Sequence, residues 1–458
     1  MDFELFVTPG LGDNSYLVWS GSEAVMVDPQ RDAWRFLQVA EKRGLSIRYV
    51  LETHVHNDYL TGALEIEAAT GAAIAAPVRG DYQFPHRGLR DSDEIRVGSL
   101  RFVAVETPGH TPEHLSYLVF DGTASDPVAI FSGGSLIVGS AGRTDLLGES
   151  RTDELTRAQF HSLRRLATFA DDVQLLPTHG AGSFCASTAP SLHRTSTIGQ
   201  ERAVNPALGT ADENTFVAQQ LAGLLAFPTY YRHMAPINRA GPNPLRSLPR
   251  MAILSAADVD GLTREGAWIV DARDRVAFAN EHIPGAVNVE MNNTFASYVG
   301  WTIPFGSQIV LVVPDESAQE DLRTQLLRIG YDQVAGYLAG GIGAWKSAGR
   351  PVASYPVAEI DDLCRACLNG QAMKILDVRQ QREWDLGHIP EKSLHVFVGD
   401  LPDRLAELPR DTELWAICAS GYRASTAASL LDRAGLRVRL VARGGVPEWA
   451  AQCYPQAS

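Results

Sequence analysis

Short apolar runs alternate with stretches of helical spacing through the first part of the chain. Tyr16-Leu17-Val18, Ala24-Val25-Met26-Val27 and Tyr49-Val50-Leu51 read as strands, and Trp34 to Arg43 and Arg157 to Ala170 as helices. The alternation predicts an α/β layout for residues 1–185. Over residues 186–250 the pattern breaks into patches rich in Ser, Thr, Pro and Asn, with a helical piece around Glu213 to Ala226 and a turn-rich tract, Asn238-Arg239-Ala240-Gly241-Pro242-Asn243-Pro244. That segment is long for a linker and carries Tyr230, Tyr231 and Met234, so a capping extension is the alternative to a bare connection.

The remainder repeats itself. Asp271-Ala272-Arg273 with His282-Ile283-Pro284 recurs as Asp377-Val378-Arg379 with His388-Ile389-Pro390, an offset of 106 residues, and Gly340-Gly341 with Trp345 recurs as Gly444-Gly445 with Trp449 at 104. Two related α/β modules are predicted, over residues 252–352 and 357–456.

A length of 458 residues accommodates about three domains, and 45% hydrophobic with 21% charged residues is the balance of a soluble globular protein. A net charge of −14 with no Lys/Arg cluster argues against a nucleic-acid partner. No apolar run approaches the ~20 residues of a membrane span; the longest, Gln308-Ile309-Val310-Leu311-Val312-Val313, reads as a buried strand. The start Met1-Asp2-Phe3-Glu4-Leu5 lacks the pattern of a signal peptide, so a cytoplasmic location is expected. Five cysteines, an odd number, predict no disulfide framework and fit a reducing compartment. A homo-oligomer stays open.

Chemistry concentrates in two places. The first is Thr53-His54-Val55-His56-Asn57-Asp58, which follows the apolar strand Tyr49-Val50-Leu51 and can turn two imidazoles and a carboxylate onto one cation. His110 in Thr107-Pro108-Gly109-His110-Thr111 and His179 in Leu176-Pro177-Thr178-His179-Gly180 also sit where strand-like runs end. Order and context resemble the metallo-β-lactamase superfamily with its H-x-H-x-D-H motif, which implies an αββα sandwich. It also implies a metal site of His54, His56 and His110, with Asp58 and His179 as further candidates. Two positions depart: Tyr59 stands where the family has a histidine, and Phe131-Ser132-Gly133-Gly134 ends in glycine where it has an aspartate.

Gly142-Arg143-Thr144-Asp145 is similar to a segment of the persulfide dioxygenases of that superfamily. The resemblance implies one Fe(II) held by His54 and His110, with Gly134 in place of the carboxylate, and makes Arg143 either an anchor for an anionic thiol such as glutathione or a structural ion-pair partner. With the carboxylate gone, His56 is the expected third ligand, a set suited to Zn(II), and Gly134→Asp is expected to raise iron retention. By the same resemblance residues 186–250 cap the mouth of the site.

The second place is Cys418-Ala419-Ser420-Gly421-Tyr422-Arg423, between the strand Glu413 to Ile417 and a helix predicted over Ala424 to Ala434. A thiol there faces successive backbone N–H groups, including those of Ser420 and Gly421, and the positive end of a helix dipole. With the D-x-R, H-I-P and G-G-x-x-x-W landmarks, the loop resembles that of rhodanese domains, which implies sulfur transfer through a Cys418 persulfide with Arg423 at its rim. The H-I-P turns read as structural. Arg423 falls five positions after the cysteine rather than six, which disfavours a tyrosine-phosphatase loop. In the first module the equivalent position falls between Val312 and Pro314, and no cysteine lies between Cys185 and Cys364, so that copy is read as inactive. Cys185 follows a segment similar to one in fused dioxygenase and rhodanese proteins and is either a persulfide acceptor or a buried small residue; Cys364 and Cys367 read as helix packing.

The arrangement resembles fused persulfide dioxygenase and rhodanese proteins. It implies a sulfurtransferase acting on a low-molecular-weight persulfide or thiosulfate with a small thiol acceptor, and one Fe(II) or Zn(II) ion in the altered metal site. Two alternatives are a metal-dependent thioester hydrolase of glyoxalase II type and a non-catalytic scaffold that presents a sulfur acceptor to the rhodanese.

Overall fold

A computed structural model describes residues 1–390 and 393–453. The chain divides into two units, Met1–Pro249 with Leu327–Gly330, and Arg250–Leu326 with Tyr331–Ser458. In the first unit the strands Asp2–Thr8, Asp13–Ser20, Glu23–Val27, Ser46–Leu51, Ala73–Pro77 and Arg87–Leu89 lie side by side in that order. A second sheet is ordered Ser196–Thr197, Gln174–Pro177, Ala129–Gly133, Leu115–Asp121, Leu100–Glu106, Glu94–Val97.

Alternation along the strands explains how the layers form. Val25 and Val27 face Phe102, Tyr117 and Phe131 of the other sheet in one core, while Ala24 and Met26 point the other way onto Phe36 and Ile66 of the helices Trp34–Lys42 and Ala63–Thr70. On the far side Ile130 and Leu175 pack against Phe160 and Leu163 of the helix Glu149–Leu166. The result is the αββα sandwich. Residues 186–249 belong to this unit and form four helices among the described residues, Ile198–Val204, Pro206–Gly209, Glu213–Gly223 and Tyr231–Ala240.

The second unit holds two five-stranded parallel sheets with one strand order. The first runs Ile253–Leu254, Val334–Leu338, Ile309–Val312, Trp268–Asp271, Val287–Asn288, and the second Val357–Glu359, Val438–Arg443, Leu414–Ile417, Lys374–Asp377, Ser393–His395. The fully buried strands Ile309–Val312 and Leu414–Ile417 are covered on both faces, as parallel sheets require. The repeated motifs are structural ties. Arg273 chelates Asp271 and donates to the Glu281 carbonyl, and Arg379 chelates Asp377 and donates to that of Gly387.

One expectation is corrected. Cys364 and Cys453 form a disulfide that ties the helix Ile360–Leu368 to the end of the helix Val446–Gln452, with Cα atoms 5.5 Å apart across 89 residues of sequence. Cys367 lies outside the bond. Local spacing singled out Cys364 and Cys367, but one turn of the same helix separates them, whereas packing of the two helices carries Cys453 to Cys364.

Candidate active sites: a histidine pocket and a cysteine loop

The motif loop begins where the strand Ser46–Leu51 ends, and Asp28 gathers it. That carboxylate accepts from the Thr53 amide at 2.7 Å, from the Thr53 hydroxyl at 2.7 Å and from the Thr178 hydroxyl. The Thr53 hydroxyl is thereby oriented to accept from His54 Nδ1 at 2.8 Å. His110 Nδ1 donates to the Arg143 carbonyl at 2.7 Å, and His179 Nδ1 donates to Asp13 at 2.8 Å. Each of these bonds leaves the Nε2 atom as the lone-pair nitrogen.

Ligand atoms of His54, His110 and His179 lie within 4.8 Å of one another, all in buried side chains. Nε2 of His54 faces Nε2 of His179 at 3.4 Å, and among the described residues His110 Nε2 has no hydrogen-bond partner. Burial, reinforced by the neighbouring imidazoles, holds the His54 and His110 pKa values well below the ordinary histidine value, and burial lowers that of His179. Three buried imidazoles with their ligand atoms this close together fit a divalent cation. Asp58 and Asp13 flank His179 Nδ1 at 3.4 and 2.8 Å, and burial pushes both carboxyls up to about 7.

His56 stands between two carboxylates. Its Nε2 lies 3.3 Å from both Asp28 and Glu52, and 3.0 Å from the Tyr59 hydroxyl, whose ring stacks on it. Burial opposes its charge, yet the two carboxylates outweigh burial and raise its pKa well above the ordinary value. His54, His110 and His179 form one convergent set, and His56 joins two others, one with Asp28 and His54 and one with Asp58 and His179.

Gly134 also reads differently in three dimensions. A Cβ there would lie 2.2 Å from His110 Cδ2, so the imidazole occupies the space a longer side chain needs. The Gly134 amide donates to His114 Nε2 at 2.9 Å, and His114 Nδ1 pairs with the Thr107 hydroxyl at 2.8 Å. Burial pushes the His114 pKa down to about 3, so it is a neutral acceptor that braces the glycine turn. Sequence reasoning missed His114, whose one signal was its place four residues after His110, and missed Glu52, which directly precedes the motif.

Arg143 is committed inside the protein. Its Nε and Nη2 chelate Asp145 at 2.7 Å each, Nη1 donates to the Phe184 carbonyl, Nη2 also donates to that of Leu225, and Phe227 lies under the guanidinium. The side chain is 2% exposed, so the fork expected to meet an anionic thiol is already engaged. Cys185 is buried, and burial pushes its thiol pKa well above the ordinary value, away from a reactive thiolate. The 186–249 segment bonds directly to the motif loop: Tyr230 donates to the Asp58 carbonyl, and Asn238 to those of His56 and Tyr59.

In the second unit Cys418 follows the buried strand Leu414–Ile417, and the helix Tyr422–Arg433 starts two residues earlier than the sequence pattern placed it. The backbone N–H of Gly421 points to Cys418 Sγ at 3.1 Å and that of Ser420 at 3.5 Å. Glycine is required at 421: φ is +91°, and a Cβ would lie 2.1 Å from the Ala442 carbonyl oxygen. Arg423 forms a two-pronged ion pair with Glu383; burial opposes its charge, but Glu383 outweighs that and raises its pKa. The thiol is 1% exposed.

Comparison with known proteins assigns the domains that carry these residues. Residues 8–179 match the metallo-β-lactamase superfamily, and residues 255–348 and 361–452 each match the rhodanese-like domain. The chain belongs to the metallo-β-lactamase superfamily and carries two rhodanese-like domains behind that domain. It is 31% identical over 193 residues to a hydroxyacylglutathione hydrolase of Cereibacter sphaeroides, across 41% of this chain and 70% of that protein. A metallo-β-lactamase from Staphylococcus aureus aligns with a TM-score of 0.66 at 29% identity, covering 74% of this chain and 98% of its own. ETHE1 from Myxococcus xanthus covers 52% of this chain and 99% of its own at 27% identity, with a TM-score of 0.46.

Proposed function

We propose that this protein is a sulfurtransferase working through Cys418, in the context of sulfur metabolism that a metallo-β-lactamase domain fused to rhodanese-like domains supports. The observation that carries this reading is the pair of backbone N–H groups, from Ser420 and Gly421, aimed at one sulfur at the start of a helix. The Cys418 thiolate attacks the outer sulfur of a persulfide or thiosulfate, the donor S–S bond breaks, and a thiol or sulfite leaves with the bonding pair. The N–H groups of Ser420 and Gly421 favour negative charge on the sulfur they face, and Arg423, paired with Glu383, stands at the rim of the loop. A small thiolate then takes the outer sulfur, and the Cys418 thiolate returns.

In the N-terminal domain His54, His110 and His179 would hold one divalent ion, and three imidazoles suit Zn(II) better than the Fe(II) of a two-histidine, one-carboxylate site. Such an ion supplies Lewis acidity and a bound water of lowered pKa. This set, with the likeness to hydroxyacylglutathione hydrolases, favours a second reading for that domain, thioester hydrolysis.

One preparation tests both. Purified protein incubated with thiosulfate should carry an extra sulfur on Cys418 by peptide mass spectrometry, and Cys418→Ser should lose sulfur transfer; turnover near wild type in that variant overturns the assignment. Elemental analysis should find about one zinc per chain and little iron. Stoichiometric iron with fast persulfide-dependent O₂ uptake would restore the dioxygenase reading, and metal-dependent cleavage of a glutathione thioester would establish the hydrolase one. A chain that retains no metal would leave the domain a scaffold.

A further inference from the structure

The cysteine-less module reaches into the Cys418 site. Arg275, at the start of its helix Arg275–Asn280, donates through Nη1 to the Ser420 carbonyl oxygen at 2.7 Å. Glu290 of the same module holds Arg275 Nε at 2.6 Å, and the guanidinium lies 5.9 Å from the centre of the Tyr422 ring. The Ser420 carbonyl and the Gly421 N–H are the two ends of one planar peptide unit, and in a trans peptide they point in opposite directions. The Gly421 N–H is the nearer of the two donors to Cys418 Sγ, at 3.1 Å. Whatever fixes the carbonyl therefore aims the N–H at the sulfur.

The clamp acts on the one peptide plane whose N–H lies nearest the sulfur. Gly421 has the conformational freedom to let this peptide plane rotate, and rotation would present the carbonyl dipole to the sulfur in place of the N–H. Arg275 opposes that rotation and, by drawing electron density toward the carbonyl oxygen, strengthens the N–H as a donor. Around the sulfur stand Arg423 and Glu383 from its own module, and from the other module Tyr298, whose ring lies 5.1 Å from that of Tyr422, besides the Arg275–Glu290 pair.

We propose that Arg275, anchored by Glu290, is a positioning residue for sulfur chemistry at Cys418: the module without a cysteine completes the active site of the module that has one. This rests on the sulfurtransferase reading for its consequence, but not for its test. Alkylation of Cys418 by iodoacetamide needs no sulfur donor and can be followed at that peptide by mass spectrometry in the full chain. In Arg275→Met the pH profile of alkylation should move toward alkaline pH, sulfur transfer should fall about tenfold, and the melting temperature should change little. Arg275→Lys, which restores a donor and a charge, should recover part of both losses. Should Arg275→Met fail to fold, Glu290→Gln, which loosens the anchor alone, should shift the profile in the same direction by less. A profile and transfer rate equal to wild type in the folded variant overturn the clamp. A wild type that takes up no sulfur while the alkylation profile still shifts overturns the sulfurtransferase reading and leaves the clamp standing.

Discussion

The two rhodanese-like modules are built alike and equipped differently. In both, the third strand in sheet order carries the decisive loop, and the neighbouring strand ends in an aspartate chelated by the arginine two residues on. Asp271 pairs with Val312 and Asp377 with Ile417, so Val313 stands where Cys418 stands. From there the copies part: Ala419-Ser420-Gly421-Tyr422-Arg423 corresponds to Pro314-Asp315-Glu316-Ser317-Ala318. Proline has no N–H to offer, two acids replace the cradle's serine and glycine, and alanine replaces the arginine. The His282 corner is buried, with Nε2 3.1 Å from Asp432 of the other module, whereas its counterpart His388 is exposed. The first copy lacks the cysteine, the N–H cradle and the arginine of the second, and its corner histidine meets an aspartate of that second module.

The sharpest way to break this contrast is Gly421→Ala. The added methyl meets the Ala442 carbonyl oxygen and needs a backbone conformation that disfavours alanine, so the peptide that aims its N–H at Cys418 must shift. Sulfur transfer should fall by about two orders of magnitude, the scale of losing a preorganised donor, as measured by steady-state thiosulfate turnover. Rates within a factor of about two of wild type would mean the cradle is incidental.

Next in size are the paired clamps. Arg273→Ala and Arg379→Ala each leave a buried aspartate without its guanidinium, holding only the backbone N–H of the substituted residue, and should each cost about 3 kcal/mol in denaturant unfolding. Costs that differ widely would show that the repeated motif does different work in the two copies.

How far such features were legible depended on their range in sequence. Strand alternation around Val25 and Val27, and landmarks repeating at 106 residues, are local signals, and the layers and the duplicated sheets follow from them. His54, His110 and the Cys418 loop were visible because their neighbours are patterned too. What local pattern could not carry is which partner each group finds: His56 turning to Glu52 and Asp28, Cys453 meeting Cys364, or Arg143 spending its donors on Phe184 and Leu225.

Gly134 extends the contrast to the N-terminal unit, where a Cβ at that position would lie 2.2 Å from His110 Cδ2. Gly134→Asp should therefore lower stability by about 1–3 kcal/mol through overpacking against His110, with no gain in bound iron by elemental analysis. Raised iron retention in a stable variant would mean that His110 yields readily and that the departure is a single missing side chain.

The smallest effect should come from the change that looks most direct. Val313→Cys places a thiol at the position equivalent to Cys418, but its environment is not the same. Residue 314 has no N–H, and the Asp315 carboxylate is engaged as an acceptor for the Ser317 amide at 2.9 Å, at the start of a single turn, Glu316–Ala318. Asp315 and Glu316 also bring negative charge to the turn that follows the new sulfur, where an anion is to be held. In a Cys418→Ser background the Val313→Cys chain should show no sulfur on residue 313 by mass spectrometry after incubation with thiosulfate. Its reaction with iodoacetamide should also be slower than that of Cys418 in the wild type. A persulfide at residue 313 would show that a cysteine at this strand end is sufficient, and that neither the N–H pair nor the arginine sets the two modules apart.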